Sequence, residues 1–286
     1  MIKMKADYHV HTEFSDDSSY DMEDVVKDAI DMDIKELCFT DHVDYGIKDD
    51  WDKPESMKQR PGGPGEPEFM YVANVNYPKY YEKYKYLKKK YGNLINLKLG
   101  LEFGVQTHTI DKYNELFSRY SFDFIILSIH QVKNLELWTQ DFQKNKTQDE
   151  YNMEYYQEIL DVIKRYKNYS VLGHLDLISR YDLKGKYPFN KIKPLITEIL
   201  KIAIEDGKGI EINTSSHRYG LKDTTPSRDI LKLYKKLGGK IITIGSDSHR
   251  KDHLGAYINE AKSILKQIGF DEYCTFDQMK PIFHKL

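Results

Sequence analysis

Seven apolar or β-branched segments recur along the chain, and each is followed by a stretch of helical periodicity. Strands are expected at about 5–11, 36–40, 94–103, 123–129, 170–174, 209–213 and 240–246. Helices are expected at about 22–32, 77–91, 111–119, 149–167, 191–205, 226–237 and 257–268. The first has Asp21 as N-cap, the second ends at Gly92, and the sixth is opened by Pro226 and closed by Gly238-Gly239. Regular βα alternation implies parallel strands joined by right-handed crossovers. A distorted (β/α)7 barrel of the triosephosphate isomerase type, one domain over 1–286, fits this order, with functional residues at the strand C-terminal ends. A doubly wound open sheet is the alternative, but it would separate the first and last strands, whose end residues belong to one constellation. The tail from 271 to 286 is expected as a short helix or an extended segment.

Those strand ends carry the chemistry. They read His9-Val10-His11, Asp41-His42, Glu102, His130, His174 and Asp247-Ser248-His249. In the first of them, a period of two puts both imidazoles on one face of the strand. Asp247 and His249 are paired in the same way. Glu102 ends a strand apolar almost throughout, so its carboxylate must be paired or metal-bound, and a carboxylate can bridge two ions. Asp41 and His42 are adjacent and point to opposite faces; His42 is assigned to the cavity and Asp41 either to support of a ligand or to a structural role. The loop Phe14-Ser15-Asp16-Asp17-Ser18 follows, and two readings stand open: one of its acids reaches the same place, or it is a solvated acidic turn. Imidazoles with carboxylates suit Zn²⁺, Mn²⁺ or Fe²⁺, whereas Ca²⁺ prefers all-oxygen ligands. Arg180 and Arg218 also follow strand ends and so lie on the active face. Glu211 and Asn213 share a strand face, Asp176 shares the face of His174 and suits orientation of a ligand, and His217 lies nearby.

Composition narrows the partners. The 286 residues hold 43 basic and 45 acidic side chains, net charge −2, with no basic excess for nucleic acid or an anionic membrane. The Lys-rich run at 83–90 is a solvated helix face. No apolar run approaches the ~18 residues of a spanning helix, and residues 1–6 lack the apolar core of a signal peptide. Only Cys38 and Cys274 occur, which rules out a disulfide framework and fits a reducing cytoplasm; Cys38 is expected buried. Many of the 23 tyrosines, notably those at 77–91, are expected as half-buried packing with the hydroxyl outward. The least regular stretch, 43–73, contains the Gly-Pro run at 60–67 and is expected as a lid or rim insertion.

In order, DYHVHTEFSDDS, FTDHVD, GLEFG, SIHQV, GHLDL and GSDSHR resemble the PHP (polymerase and histidinol phosphatase) family of metal-dependent phosphoesterases over nearly the whole chain. GLEFGV, GHLDLISRY and EINTSSHRYG look most like its monofunctional histidinol-phosphate phosphatases. The resemblance implies a distorted (β/α)7 barrel with three divalent ions (Zn, Mn or Fe). The first would take His9, His11, Glu102 and Asp247; the second Glu102, His130 and His174; the third Asp17, His42 and His249. Some relatives have histidine where Asp17 stands. It further implies that Arg180, Arg218 and His42 meet the substrate phosphate, with metal-activated water as nucleophile and His42, Asp17 or water supplying the leaving-group proton. Neither a CxxxxxR nor a DxDx[TV] signature of a covalent route is present. Three other readings remain: a metal-dependent amidohydrolase, a phosphoesterase for another small phosphomonoester, and a non-catalytic metal-binding module.

Overall fold

The computed structural model describes residues 4–52, 57–61 and 69–286. Seven parallel strands carry the architecture: β1 (Ala6–Val10), β2 (Glu36–Phe39), β3 (Asn96–Gly104), β4 (Phe124–Ser128), β5 (Val171–Leu172), β6 (Gly209–Asn213) and β7 (Ile242–Gly245). They pair in sequence order from β1 to β7. Each is buried nearly end to end, as strands covered on both faces must be. A helix follows each: α1 (Met22–Asp31), α2 (Tyr77–Tyr91), α3 (Ile110–Arg119), α4 (Gln148–Arg165), α5 (Phe189–Glu205), α6 (Arg228–Lys236) and α7 (Ile258–Ile268).

The ends of the sheet meet. His11 N donates to the Ser248 carbonyl at 2.8 Å and Ser248 N to the His9 carbonyl at 3.1 Å, so β1 and the residues after β7 nearly close a barrel. That excludes the open doubly wound sheet. β1 also carries a bulge between Asp7 and Val10. The extra residue re-aims the chain, so that Tyr8 packs in the lower core while His9 and His11 reach the upper mouth.

Local signals explain the boundaries. Asp21 caps α1, accepting from Glu23 N and Asp24 N, and α4 opens with a reciprocal Thr147–Glu150 capping box. Gly92 does cap α2, but in a right-handed conformation. β5 is shorter than expected: Gly173 N still donates to the Leu127 carbonyl of β4 at 2.9 Å, but His174 N turns to the Glu211 carboxylate and the chain leaves the ladder there. The α2 tyrosines differ from expectation. Tyr80 and Tyr84 are buried, and their hydroxyls donate inward to the Gly100 and Leu97 carbonyls of β3; an aromatic ring long enough to span the helix–sheet gap can satisfy its hydroxyl on the strand.

The tail forms an antiparallel hairpin, β8 (Glu272–Asp277) with β9 (Lys280–Lys285). Its Cys274 and Phe276 join Ala6, Tyr8, Phe124 and Ile126 in a cluster at the strand-start end, plugging the barrel opposite the histidines. The 60–67 run lies largely outside the described residues; around it, Lys58–Pro61 pairs with Phe69–Val72. No helix among the described residues is long and apolar enough to cross a membrane.

Candidate metal centre

Glu102, fully buried, is the hub. Its two oxygens face two sets of imidazoles. Oε2 lies 3.1 Å from His9 Nε2, 3.6 Å from His11 Nε2 and 3.1 Å from His42 Nδ1. Oε1 lies 2.8 Å from His174 Nε2 and 3.1 Å from His130 Nε2, and accepts from Ser128 Oγ at 2.6 Å. Asp247 Oδ1 stands 3.7 Å from His9 Nε2 and 3.5 Å from His11 Nε2. At the rim, Asp17 Oδ2 lies 3.4 Å from His42 Nε2 and 3.1 Å from His249 Nε2.

The imidazoles are aimed. His9 Nδ1 is held by Glu211 Oε1 at 2.6 Å, His130 Nδ1 by Asp44 Oδ1 at 2.7 Å, His11 Nδ1 by Ser15 Oγ at 3.2 Å, and His249 Nδ1 by the Asp247 carbonyl at 3.0 Å. In each ring Nε2 is thereby turned inward, the arrangement that fixes tautomer and orientation in metal sites. Asp247 occupies a left-handed backbone conformation (φ 56°), a conformation that strains most side chains and clusters at functional sites. Gly245 admits the arrangement, because a Cβ there would sit 2.3 Å from both Glu211 Oε1 and His9 Cβ.

These donors fit cations. His11 Nε2 is buried with no hydrogen-bond partner, which leaves it free as a ligand. The Nε2 atoms of His9 and His11 lie 3.1–3.7 Å from the facing oxygens of Glu102 and Asp247. Tetrahedral bonds of about 2.0–2.1 Å give edges of about 3.4 Å. Four donor groups able to hold an ion overlap here: His11 with Asp17, His42 and His249; His9 with His11 and Asp247; His9 with Glu102 and His174; and His42 with Asp44 and His130. Electrostatics agree. Burial pushes the Glu102 carboxyl up, but His9, His130, His42 and His174 outweigh it and hold it well below the usual range. Burial, reinforced by His249 and His42, keeps His11 well below the ordinary imidazole value, hence neutral and able to coordinate.

All nine residues expected as ligands converge, and Asp17 rather than Asp16 faces the rim cluster. Asp16 pairs instead with Lys48 at 2.7 Å. Asp41 is structural, accepting from Thr12 N, Thr12 Oγ1 and Ser15 Oγ. Glu211 orients His9 and also accepts from His174 N; Asn213 Nδ2 donates to Glu211 Oε2 at 3.2 Å and lies 3.4 Å from His9 Nδ1, while its Oδ1 accepts from Ser215 N. Asp176 does not orient His174; it accepts from Ser227 N at 2.8 Å, because the chain turns sharply after Gly173. His217 stacks on Tyr257, with ring centroids 4.2 Å apart. Asp44 is the residue that sequence reasoning missed. Its spacing of two from His42 put it on the His42 face, a signal already present.

Above the cluster is a pocket of about 150 Å³, walled by Arg180, Lys48, Trp138, Tyr181 and Tyr219 among others. Arg180 donates to Ser215 Oγ at 2.5 Å, lies 3.4 Å from Asp247 Oδ2, and stacks on Tyr219 with its guanidinium carbon 4.1 Å from the ring centre. Arg218 does not line this pocket; it donates to the Ser246 and Asp247 carbonyls.

A nearly closed parallel barrel with histidine–carboxylate clusters at its strand ends has the architecture of a metal-dependent hydrolase. The chain belongs to the PHP domain family, whose model matches residues 7–215. It is 33% identical over 284 residues to the histidinol-phosphatase of Lactococcus lactis subsp. lactis, covering 96% of each chain. It is 30% identical to a probable histidinol-phosphatase of Thermotoga maritima, covering 98% of this chain and 99% of that one. The crystal structure of the Lactococcus lactis histidinol phosphate phosphatase, complexed with zinc, L-histidinol and phosphate, superposes with a TM-score of 0.80 at 31% identity, covering 97% of this chain and 98% of that one.

Proposed function

We propose that this chain is a histidinol-phosphatase, hydrolysing L-histidinol phosphate to L-histidinol and phosphate in histidine biosynthesis. The observation that carries it is end-to-end likeness to an enzyme of that name, together with an arginine-walled pocket set directly on the donor clusters. Three divalent ions (Zn, Mn or Fe) are assigned to His9, His11, Glu102 and Asp247; to Glu102, His130 and His174; and to Asp17, His42 and His249. When bound, such ions stabilise charge on the phosphoryl oxygens and make water a competent nucleophile at neutral pH.

The protein's own groups do the rest. Arg180, pinned by Ser215 and Asp247, presents a fixed fork to the phosphate. Arg218, expected on the phosphate as well, lies outside this pocket and instead fixes the backbone that carries Asp247 through the Ser246 and Asp247 carbonyls. A fixed cation facing the equatorial oxygens stabilises a phosphoryl-transfer transition state more than its ground state. Water attacks phosphorus, the bond to the histidinol oxygen breaks, and that alkoxide takes a proton at the rim. His42 Nε2 and Asp17 Oδ2, 3.4 Å apart, would with His249 hold the ion whose water supplies that proton. Two free, buried cysteines and a biosynthetic role fit a cytoplasmic enzyme.

The test is phosphate release from L-histidinol phosphate after metal removal and add-back of Mn²⁺, Zn²⁺ or Fe²⁺, beside p-nitrophenyl phosphate. A kcat/KM much higher for histidinol phosphate supports the reading. Equal rates would reopen the substrate, and no phosphate release with any metal would refute the chemistry.

A further inference from the structure

A phosphomonoester carries about −1.5 to −2 charge at pH 7, and the wall it meets here is rich in acids. Asp17, Asp44, Glu102 and Asp247 all line the pocket above the donor clusters. Among the described residues of that lining, two are Arg or Lys: Arg180 and Lys48. Arg218, expected beside Arg180, is spent on the backbone instead.

The local chain explains how Lys48 comes to be there. It closes a turn in which the Ile47 and Lys48 amides both donate to the Asp44 carbonyl, at 3.2 and 2.9 Å. Gly46 permits the turn: its φ is 98°, and a Cβ there would fall 2.2 Å from Asn134 Oδ1. Four residues beyond Asp44, Lys48 returns its ammonium to that side chain, 2.9 Å from Oδ2, and reaches Asp16 Oδ1 at 2.7 Å. Its side chain is 10% exposed, so it is held without being sealed off. An ammonium has three donors; the two carboxylates use two and leave one. Asp44 Oδ2 is itself 4.0 Å from His42 Nδ1, which sets the ammonium one carboxylate away from the donor cluster. Lys48 follows β2 and Arg180 follows β5, three strands apart in the order, so the two cations reach the pocket from different sides. Adjacent carboxylates favour the charged form of an amine. Lys48 is therefore a standing charge, unsuited to giving up a proton.

We propose that Lys48 is the second cation of the phosphate site, its remaining N–H donating to a non-bridging phosphoryl oxygen while Arg180 holds another from the other side. This rests on the phosphatase reading of the pocket, though not on which ester it takes. Because Asp16 and Asp44 fix the ammonium beforehand, little ordering is left for the moment of binding.

The experiment is calorimetric titration of inorganic phosphate into the metal-loaded full chain, wild type and Lys48→Met. Release from p-nitrophenyl phosphate and metal per chain, by mass spectrometry, are measured alongside. The variant should bind phosphate roughly 10-fold or more weakly, the scale of one hydrogen bond from a charged group, with kcat/KM falling in step and metal per chain unchanged. A smaller loss overturns the contact. So does a loss of phosphate affinity accompanied by loss of metal, which would make Lys48 a support for Asp44 and through it for His130. Should Lys48→Met not fold, Lys48→Gln is read by the same criteria. Neither probe contains histidinol. A wild type that neither binds phosphate nor releases it with any metal fails the phosphatase reading and this inference with it, whereas an unchanged variant fails this inference alone.

Discussion

Asp44 Oδ1 lies 2.7 Å from Nδ1 of His130, and residue 104 is what allows it. A Cβ on Gly104 would fall 1.9 Å from that oxygen and 2.9 Å from the nitrogen. The glycine is therefore part of the metal site without touching an ion. Asp44 is further held by Lys48 at 2.9 Å, so His130 is oriented by a carboxylate that is itself oriented.

Gly104→Ala and Asp44→Ala should each lower metal affinity by roughly 10–100-fold, the usual cost of losing a ligand's orienting partner. Competition with a chromophoric chelator measures this. Wild-type affinity in both variants would show that His130 needs no such support.

Glu102→Gln should release metal outright. The carboxylate divides its oxygens between two imidazole sets, and a neutral amide offers one weak acceptor where two anionic oxygens stood. Metal per chain, read by mass spectrometry after desalting, should fall by at least half. Full retention would remove the bridging role.

Arg180→Ala should reduce kcat/KM for a phosphomonoester by ~10²–10³, the scale of losing a fixed donor to transition-state charge. Arg180→Lys should recover little, since an ammonium lacks the fork. An unchanged kcat/KM in Arg180→Ala would detach this guanidinium from the phosphate.

The thiols should be silent. Burial pushes Cys274 up to about 12 and Cys38 well above its ordinary value, and the thiolate is the reactive form. Native protein at pH 8 should not react with Ellman's reagent, while protein unfolded in urea should titrate both cysteines. The folded thiols hold their protons more tightly than unfolded ones. Their contribution to stability is therefore complete below about 8.5 and declines as pH rises toward 12. The urea midpoint should be lower at pH 10 than at pH 8; a rapid native reaction would contradict the burial.

The strand–helix alternation and the ligand positions were legible because both rest on short-range periodicity. His9 and His11 face one way for the same reason that Val25, Val26 and Ala29 do. Features that depend on tertiary meeting were not. The inward hydroxyls of Tyr80 and Tyr84 require knowing that α2 lies over β3. The hairpin of 272–285 exists because a barrel mouth needed covering. Asp176 keeps the His174 parity in sequence but leaves it in space, since the chain abandons the strand between them. Arg218 was legible as a cation on the active face, but its attachment to the Ser246 and Asp247 carbonyls was not.

The seam between His9-Val10-His11 and Ser248 has a consequence for how the molecule is made. His9 and His11 are synthesised before the other six strands, whereas Asp247 and His249 follow only after the last of them. A nascent chain can offer a cation only a partial set, and the coordination shell is finished when the last strand docks beside the first. An ion held by His9, His11 and Asp247 would thus act as a clasp joining the two ends of the barrel.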